Sequence, residues 1–151
     1  RGDGCKCSLG RDFFVEEIKM RLIIGGYAQG KLAYVQKEKK EKELRLFEGI
    51  IPTKEQLLEL NEQGKVPVVN RLHDFVKQSL LLGNHPEKEL QAFLEDASDC
   101  IIISDEIGNG IVPVDAFERE YRERTGRILV ELARQADEVI RVICGIGQKI
   151  K

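Results

Sequence analysis

Arg21-Leu22-Ile23-Ile24-Gly25-Gly26-Tyr27-Ala28-Gln29-Gly30-Lys31-Leu32 is the stretch on which the fold is decided. A short run of successive apolar, partly β-branched residues predicts a strand covered on both faces, as in a parallel sheet. From Gly25 to Lys31 the chain reads G-x-x-x-x-G-K. A strand, a glycine-rich turn and a helix start together place backbone N–H groups around phosphate oxygens. The helix N-terminus adds partial positive charge, and the Lys ammonium reaches the terminal phosphates. Gly25, Gly26, Tyr27, Ala28, Gln29, Gly30, Lys31 and Leu32 are therefore the candidate cofactor-binding residues, for a nucleotide such as GTP or ATP. The simpler alternative is that the glycines only make a tight strand-to-helix turn. One part is missing: the position after Lys31 calls for Ser or Thr, whose oxygen ligates Mg2+, and Leu32 stands there.

The same alternation continues down the chain. Short apolar runs at Val66 to Val69, Cys100 to Ile103 and Val139 to Cys144 predict further buried strands, while Leu44 to Ile51, broken by Glu48 and Gly49, reads as an edge strand or a loop. Helices are signposted between them. Thr53 with Gln56 forms a capping box, Leu57, Leu58 and Leu60 follow, and Gly64 stops the segment. Pro86 suits a first helical turn before Leu90, Phe93, Leu94 and Ala97. The clearest helix starts at Asp115 and carries Phe117, Tyr121, Ile128, Leu132 and Ala136 on one stripe. Gly126 inside it costs about 1 kcal/mol against Ala, which suggests a close packing contact there. KEKKEKE at 37–43 reads as a solvated helix end. The expected fold is α/β, three layers around a mostly parallel central sheet, over residues 20–151. Residues 1–19 read as a polar tail or as a short helix through Phe13, Phe14 and Ile18.

At 151 residues the chain is sized for one domain. Lys plus Arg number 24 against 26 Asp plus Glu, so the surplus of cations that coats nucleic acid is missing. No apolar run approaches the ~18 residues of a membrane span, and no signal peptide is recognisable at the N-terminus. Four scattered cysteines fit a reducing compartment, and the expectation is a cytoplasmic protein. Cys5-x-Cys7 offers only half of a tetrahedral metal site.

A second candidate cluster follows the run at 100–103: Ser104-Asp105-Glu106-Ile107-Gly108-Asn109-Gly110-Ile111-Val112-Pro113. In an open α/β sheet ligands sit beyond the carboxyl ends of strands, where Asp105 and Glu106 would emerge beside the phosphate loop. Two acids there could hold magnesium or position a water; alternatively they face solvent from a loop whose glycines supply positive φ. Gly145-Ile146-Gly147 is a further glycine pair, weak by itself. His73 and His85 read as surface residues before they read as general bases. No Ser/His/Asp or Cys/His constellation stands out.

Asp105-Glu106-Ile107-Gly108-Asn109-Gly110-Ile111-Val112-Pro113, then Arg119, Tyr121-Arg122-Glu123, Gly126, Leu132-Ala133, Ala136-Asp137-Glu138-Val139 and Gly145-Ile146-Gly147 with Lys149, resembles the end of one family. It is the bifunctional adenosylcobinamide kinase/adenosylcobinamide-phosphate guanylyltransferase family. Leu22 to Gly26 with Gly30-Lys31 is similar to that family's opening strand and phosphate loop. Val68-Val69-Asn70-Arg71-Leu72 running on to Phe75-Val76 resembles its middle strand and the helix behind it. These blocks cover about two-thirds of the residues after Met20. The resemblance implies a P-loop fold working in corrinoid salvage. Such enzymes phosphorylate the aminopropanol hydroxyl of adenosylcobinamide with ATP or GTP, then transfer GMP through a guanylyl-histidine. It also implies a homo-oligomer, since the family tends to form trimers.

The departures are as specific as the matches. Leu32 and Gln29 replace serines of the family's loop, Asn70 stands where the strand usually ends in an acid, and Leu129-Val130 occupy the place of an Asn-Gln pair. Between Lys37 and Val66 there is no counterpart of the family's second strand with its guanylylated His, and that interval contains no His. Two roles follow. One is a short enzyme keeping nucleotide-dependent kinase chemistry, with Lys31 on the terminal phosphates and Asp105 or Glu106 taking over the metal. The other is a non-catalytic descendant that binds a nucleotide, a corrinoid or a protein partner. In both, guanylyl transfer is expected to be lost, for want of its nucleophile.

Overall fold

The computed structural model describes residues 19–39, 43–108, 110 and 114–151. Cys5-x-Cys7, the stretch through Phe13, Phe14 and Ile18, Asn109 and Ile111 to Pro113 lie outside them. The elements in chain order are β1 (Met20–Gly25), α1 (Lys31–Glu38), β2 (Leu44–Glu48), α2 (Lys54–Gln63), β3 (Val66–Asn70) and α3 (Leu72–Leu81). They continue with α4 (Pro86–Asp96), β4 (Cys100–Asp105), α5 (Ala116–Gln135), β5 (Glu138–Ile143) and β6 (Ile146–Lys149). One six-stranded sheet runs in the order β2-β3-β4-β1-β5-β6. Every pairing in it is parallel except β5 with β6.

The continuous apolar runs occupy the sheet centre because both faces there are covered. Leu22, Val69, Ile102 and Val139 pack toward Leu57 of α2, Val76 of α3, Phe93 of α4 and Ile128 and Leu132 of α5. Ile23, Val68, Ile101, Ile103, Ile140 and Val142 pack on the other side with Val35 of α1. This is the expected three-layer α/β arrangement.

The interrupted run resolves as β2, an edge strand aligned from Leu44↔Val66 to Glu48↔Asn70 and ended by Gly49 at φ 65. The strand expected over 139–144 is β5, which runs over 138–143, one residue off, because Cys144 and Gly145 form a two-residue turn into β6. Both have positive φ, 51 and 76, which a tight hairpin turn between right-twisted strands requires. β6 itself is short and polar, so nothing in its pattern announced a strand.

Helix starts follow their signals. The Thr53 side chain accepts from Gln56 N while Gln56 Oε1 accepts from Thr53 N, a closed capping box worth about 1 kcal/mol. Pro86 opens α4, and Asp115 caps α5 by accepting from Phe117 N at 2.8 Å. Gly126 departs from expectation, since a Cβ there would meet nothing within 4 Å. No close contact among the described residues explains that glycine.

Candidate functional site at the carboxyl edge of β1, β3 and β4

β1 and β4 are neighbours whose chains leave toward opposite faces, β1 into α1 and β4 into α5. The crevice between such strand ends is where open α/β sheets bind ligands. Gly25 is in register with Asp105, so the end of the first strand and the acid of the fourth sit side by side. The loop 26–30 closes over this point, and Gly30, at φ 82, is the N-cap of α1 with no side-chain cap. The N–H groups of Tyr27, Ala28, Gly30 and Lys31 donate to no protein acceptor among the described residues. Tyr27 is 84% exposed at the crest.

Lys31 is the buried cation of the site. Its Nζ donates to Gly26 O at 2.6 Å and lies 2.5 Å from Asp105 Oδ1. Glycine is obligatory at 25, where a Cβ would come within 2.5 Å of Val142 O. Gln29 braces the loop from the far side: its Oε1 accepts from Cys144 N and its carbonyl from Gly145 N, both at 2.8 Å. The glycine pair at 145 and 147 thereby gains a purpose. Gly145 lies against Gly30, and any Cβ at Gly147 would collide with the Tyr34 ring of α1.

The two adjacent acids part company. Asp105 turns into the site, whereas both oxygens of Glu106 are taken by Arg141, at 2.9 and 3.0 Å. The expectation of a shared metal therefore loses one ligand. Leu32 offers no oxygen and packs instead beside Val35 and Ile23. Asn70 Nδ2 holds both oxygens of Glu48 at 3.1 Å. Among the described residues no group of three or more His, Cys, Asp or Glu gathers to hold a metal. Among the described residues the donor set does not fit a magnesium site held by the protein alone.

His73 is the largest correction. It is buried at 9% exposure, not on the surface. Its Nδ1 accepts from Asp105 N at 3.2 Å, and its Nε2 lies 3.5 Å from Asp105 Oδ2 and 3.6 Å from Asp74 Oδ1. A ring nitrogen that accepts is unprotonated, so the neutral imidazole carries its proton on Nε2. Burial lowers its pKa, opposed by the charges of Asp105 and Asp74.

A cavity of about 300 Å³ joins these parts: residues 27 to 33 of the loop and first helical turn on one wall, Asn70, Arg71 and His73 on the other, with Asp105 between. The second wall was not foreseen. Its one available signal was position, since residues 70 to 73 follow directly on a buried strand.

A family model described as cobinamide kinase/cobinamide phosphate guanyltransferase matches residues 27–150. The chain belongs to this family. The bifunctional adenosylcobalamin biosynthesis protein CobU of Salmonella typhimurium is 38% identical over 69 residues, 43% of this chain and 38% of that protein. CobU of Escherichia coli is 37% identical over 67 residues, 42% of this chain and 37% of the relative. The matched stretch thus spans well under half the length of these CobU relatives. Among solved structures, the P4 protein from bacteriophage phi6 in complex with ADP aligns at a TM-score of 0.43 and 15% identity, covering 87% of this chain and 53% of that one. In this member of the cobinamide kinase/guanyltransferase family Lys31 is buried against Asp105, and His73 is buried where the sequence suggested a surface residue. No helix among the described residues is long and apolar enough to cross a membrane.

Proposed function

We propose that the 25–32 loop binds the phosphates of ATP or GTP and that the chain phosphorylates the aminopropanol hydroxyl of adenosylcobinamide. The observation that carries this reading is Lys31, buried at the mouth of the cavity between Gly26 O and Asp105, within a loop whose N–H groups are undonated. Lys31 neutralises the terminal phosphates while the loop N–H groups hold them. The hydroxyl oxygen attacks the γ-phosphorus as its bond to the bridging oxygen breaks, and the nucleoside diphosphate leaves. Such transfer rests on positioning and charge. Asp105 stands close enough to Lys31 to take the hydroxyl proton once phosphate displaces it from the ammonium. Since the donor set does not fit a metal, no step is assigned to one.

Guanylyl transfer is absent in this reading. A phosphoramidate intermediate needs an imidazole lone pair aimed at the α-phosphorus. The Nδ1 lone pair of His73 is occupied by Asp105 N and its Nε2 faces two carboxylates. The reading further carries a cytoplasmic location and a homo-oligomer, the latter checked by light scattering.

One observation favours a binding role without turnover: the strand-end position 70 is an amide engaged with Glu48, leaving Asp105 as the single acid on the cavity among the described residues. Corrinoid-dependent release of nucleoside diphosphate separates the two. The kinase reading expects release that Lys31→Ala abolishes, and calorimetric binding without any release leaves the binding role. No nucleotide binding at millimolar ATP or GTP removes the kinase reading and leaves only a corrinoid- or partner-binding role. Acid-labile protein labelling from α-labelled GTP, lost in His73→Ala, would restore guanylyl transfer.

A further inference from the structure

The wall opposite the loop carries a second cation whose setting is unusual. Arg71 is the N-cap of α3 and sits at φ 57, in the left-handed region where side chains other than Gly, Asn or Asp are strained. A glycine would hold this turn at less cost, so the turn itself does not explain the arginine. Its side chain is 58% exposed and lines the same cavity as Lys31. The guanidinium meets Asp74 through Nε, at 2.6 Å to Oδ2. Neither terminal nitrogen makes a hydrogen bond to a protein acceptor among the described residues, and the approach to Asp74 is closest at Nε. Asp74 thus grips the guanidinium from behind and leaves its fork free, the end that matches phosphate oxygens in pairs.

Charge points the same way. A nucleoside triphosphate brings several negative charges into a cavity whose lining, among the described residues, carries two cations, Lys31 on one wall and Arg71 on the other. Leu32 gives the loop no oxygen for a metal, and the other nearby carboxylates are held by Arg141 and Asn70. We propose that Arg71 is a second phosphate-binding residue of this site. Its guanidinium takes terminal phosphate oxygens of the nucleoside triphosphate from the wall opposite the loop, supplying charge that elsewhere comes with magnesium. The inference rests on the nucleotide reading above and adds to it a residue and a selectivity for the third phosphate.

Calorimetric titration of the full chain with non-hydrolysable ATP and GTP analogues, and with AMP and GMP, tests it, each in EDTA and in excess Mg2+. For the native protein the triphosphate affinity should change by less than about threefold between EDTA and Mg2+, while Arg71→Gly should lose about tenfold or more for triphosphate and little for monophosphate. Arg71→Lys should fall between, because charge is kept and the fork is lost. Arg71→Gly removes a strained φ, so it should melt no lower than the native chain; a binding loss in a variant of undiminished stability is not a folding defect. Triphosphate binding unchanged in Arg71→Gly, or native binding that Mg2+ strengthens tenfold or more, would overturn the inference while leaving the nucleotide site standing. No binding by the native chain under either condition would remove the nucleotide reading and this inference with it.

Discussion

Two strand–turn–helix units flank β4 and face one cavity, and they solve the same turn differently. In the first, Gly25 ends β1, five residues make the loop, and Gly30 caps α1 at φ 82. In the second, Asn70 ends β3 and a single residue, Arg71 at φ 57, caps α3. Neither helix has a side-chain cap hydrogen bond. The first unit uses glycine wherever geometry is demanding and leaves N–H groups undonated; the second spends strain to keep a guanidinium and an imidazole at the rim. A glycine-rich unit cradles by backbone, whereas the other acts through side chains.

The largest way to break that contrast is at the strand ends. Gly25→Ala drives a Cβ to 2.5 Å from Val142 O, a backbone atom that cannot swing aside. The expected cost is about 3 kcal/mol, from overpacking of a buried turn. Asn70→Ala loses only exposed hydrogen bonds to Glu48 and should cost no more than about 0.5 kcal/mol. Urea unfolding of both variants reads the difference; equal losses would mean that the two strand ends are not distinguished by packing.

At the caps the signs should oppose. Gly30→Ala puts a side chain at φ 82, and although Gly145 Cα at 3.5 Å leaves ordinary room, the backbone strain should cost about 1–2 kcal/mol. Arg71→Gly relieves similar strain, partly offset by about 0.5–1 kcal/mol from the glycine's freedom in the unfolded chain. Its net effect should be a gain of less than about 1 kcal/mol. A clear loss on Arg71→Gly would show that the ion pair with Asp74 stabilises the turn more than the strain opposes it.

The contrast also explains what was legible in the sequence. The first unit was readable because glycine spacing is a property of the sequence itself, and the buried strands were readable because their apolar residues run without alternation. The second unit was not. An arginine in a left-handed conformation looks like any arginine, and His73 read as a surface residue in a helical stretch with Asp74 beside it. Only the register of β3 and β4 brings Asp105 over the imidazole. Glu106 was read with Asp105 because the two are adjacent, yet successive residues at a strand end point to opposite sides. Gly126 shows the reverse error, a glycine credited with a contact that is missing. With open space around it, Gly126→Ala should stabilise α5 by about 1 kcal/mol in the same unfolding assay.

The smallest effect to seek is the pH dependence that His73 gives the second unit. Burial holds the imidazole of His73 below its ordinary pKa of 6.5, outweighing the pull of Asp105 and Asp74, while Arg71 and Lys31 add to the lowering. The folded chain therefore takes up a proton less readily than the unfolded chain. The contribution to stability is fully present above the ordinary value and declines as pH falls below it toward the folded value. Protonation would also fill Nδ1, which now accepts from Asp105 N, so the acid at the end of β4 would lose its brace from the second unit. Unfolding midpoints measured at about pH 7.5 and about pH 5.5 should show a loss in the native chain and a smaller one in His73→Gln. The comparison reads the slope and not the absolute stability, because His73→Gln also removes a buried hydrogen bond at every pH. Equal slopes in the two proteins would mean that His73 titrates as it does in the unfolded chain, and that the cavity wall it lines is more open to water than its 9% exposure implies.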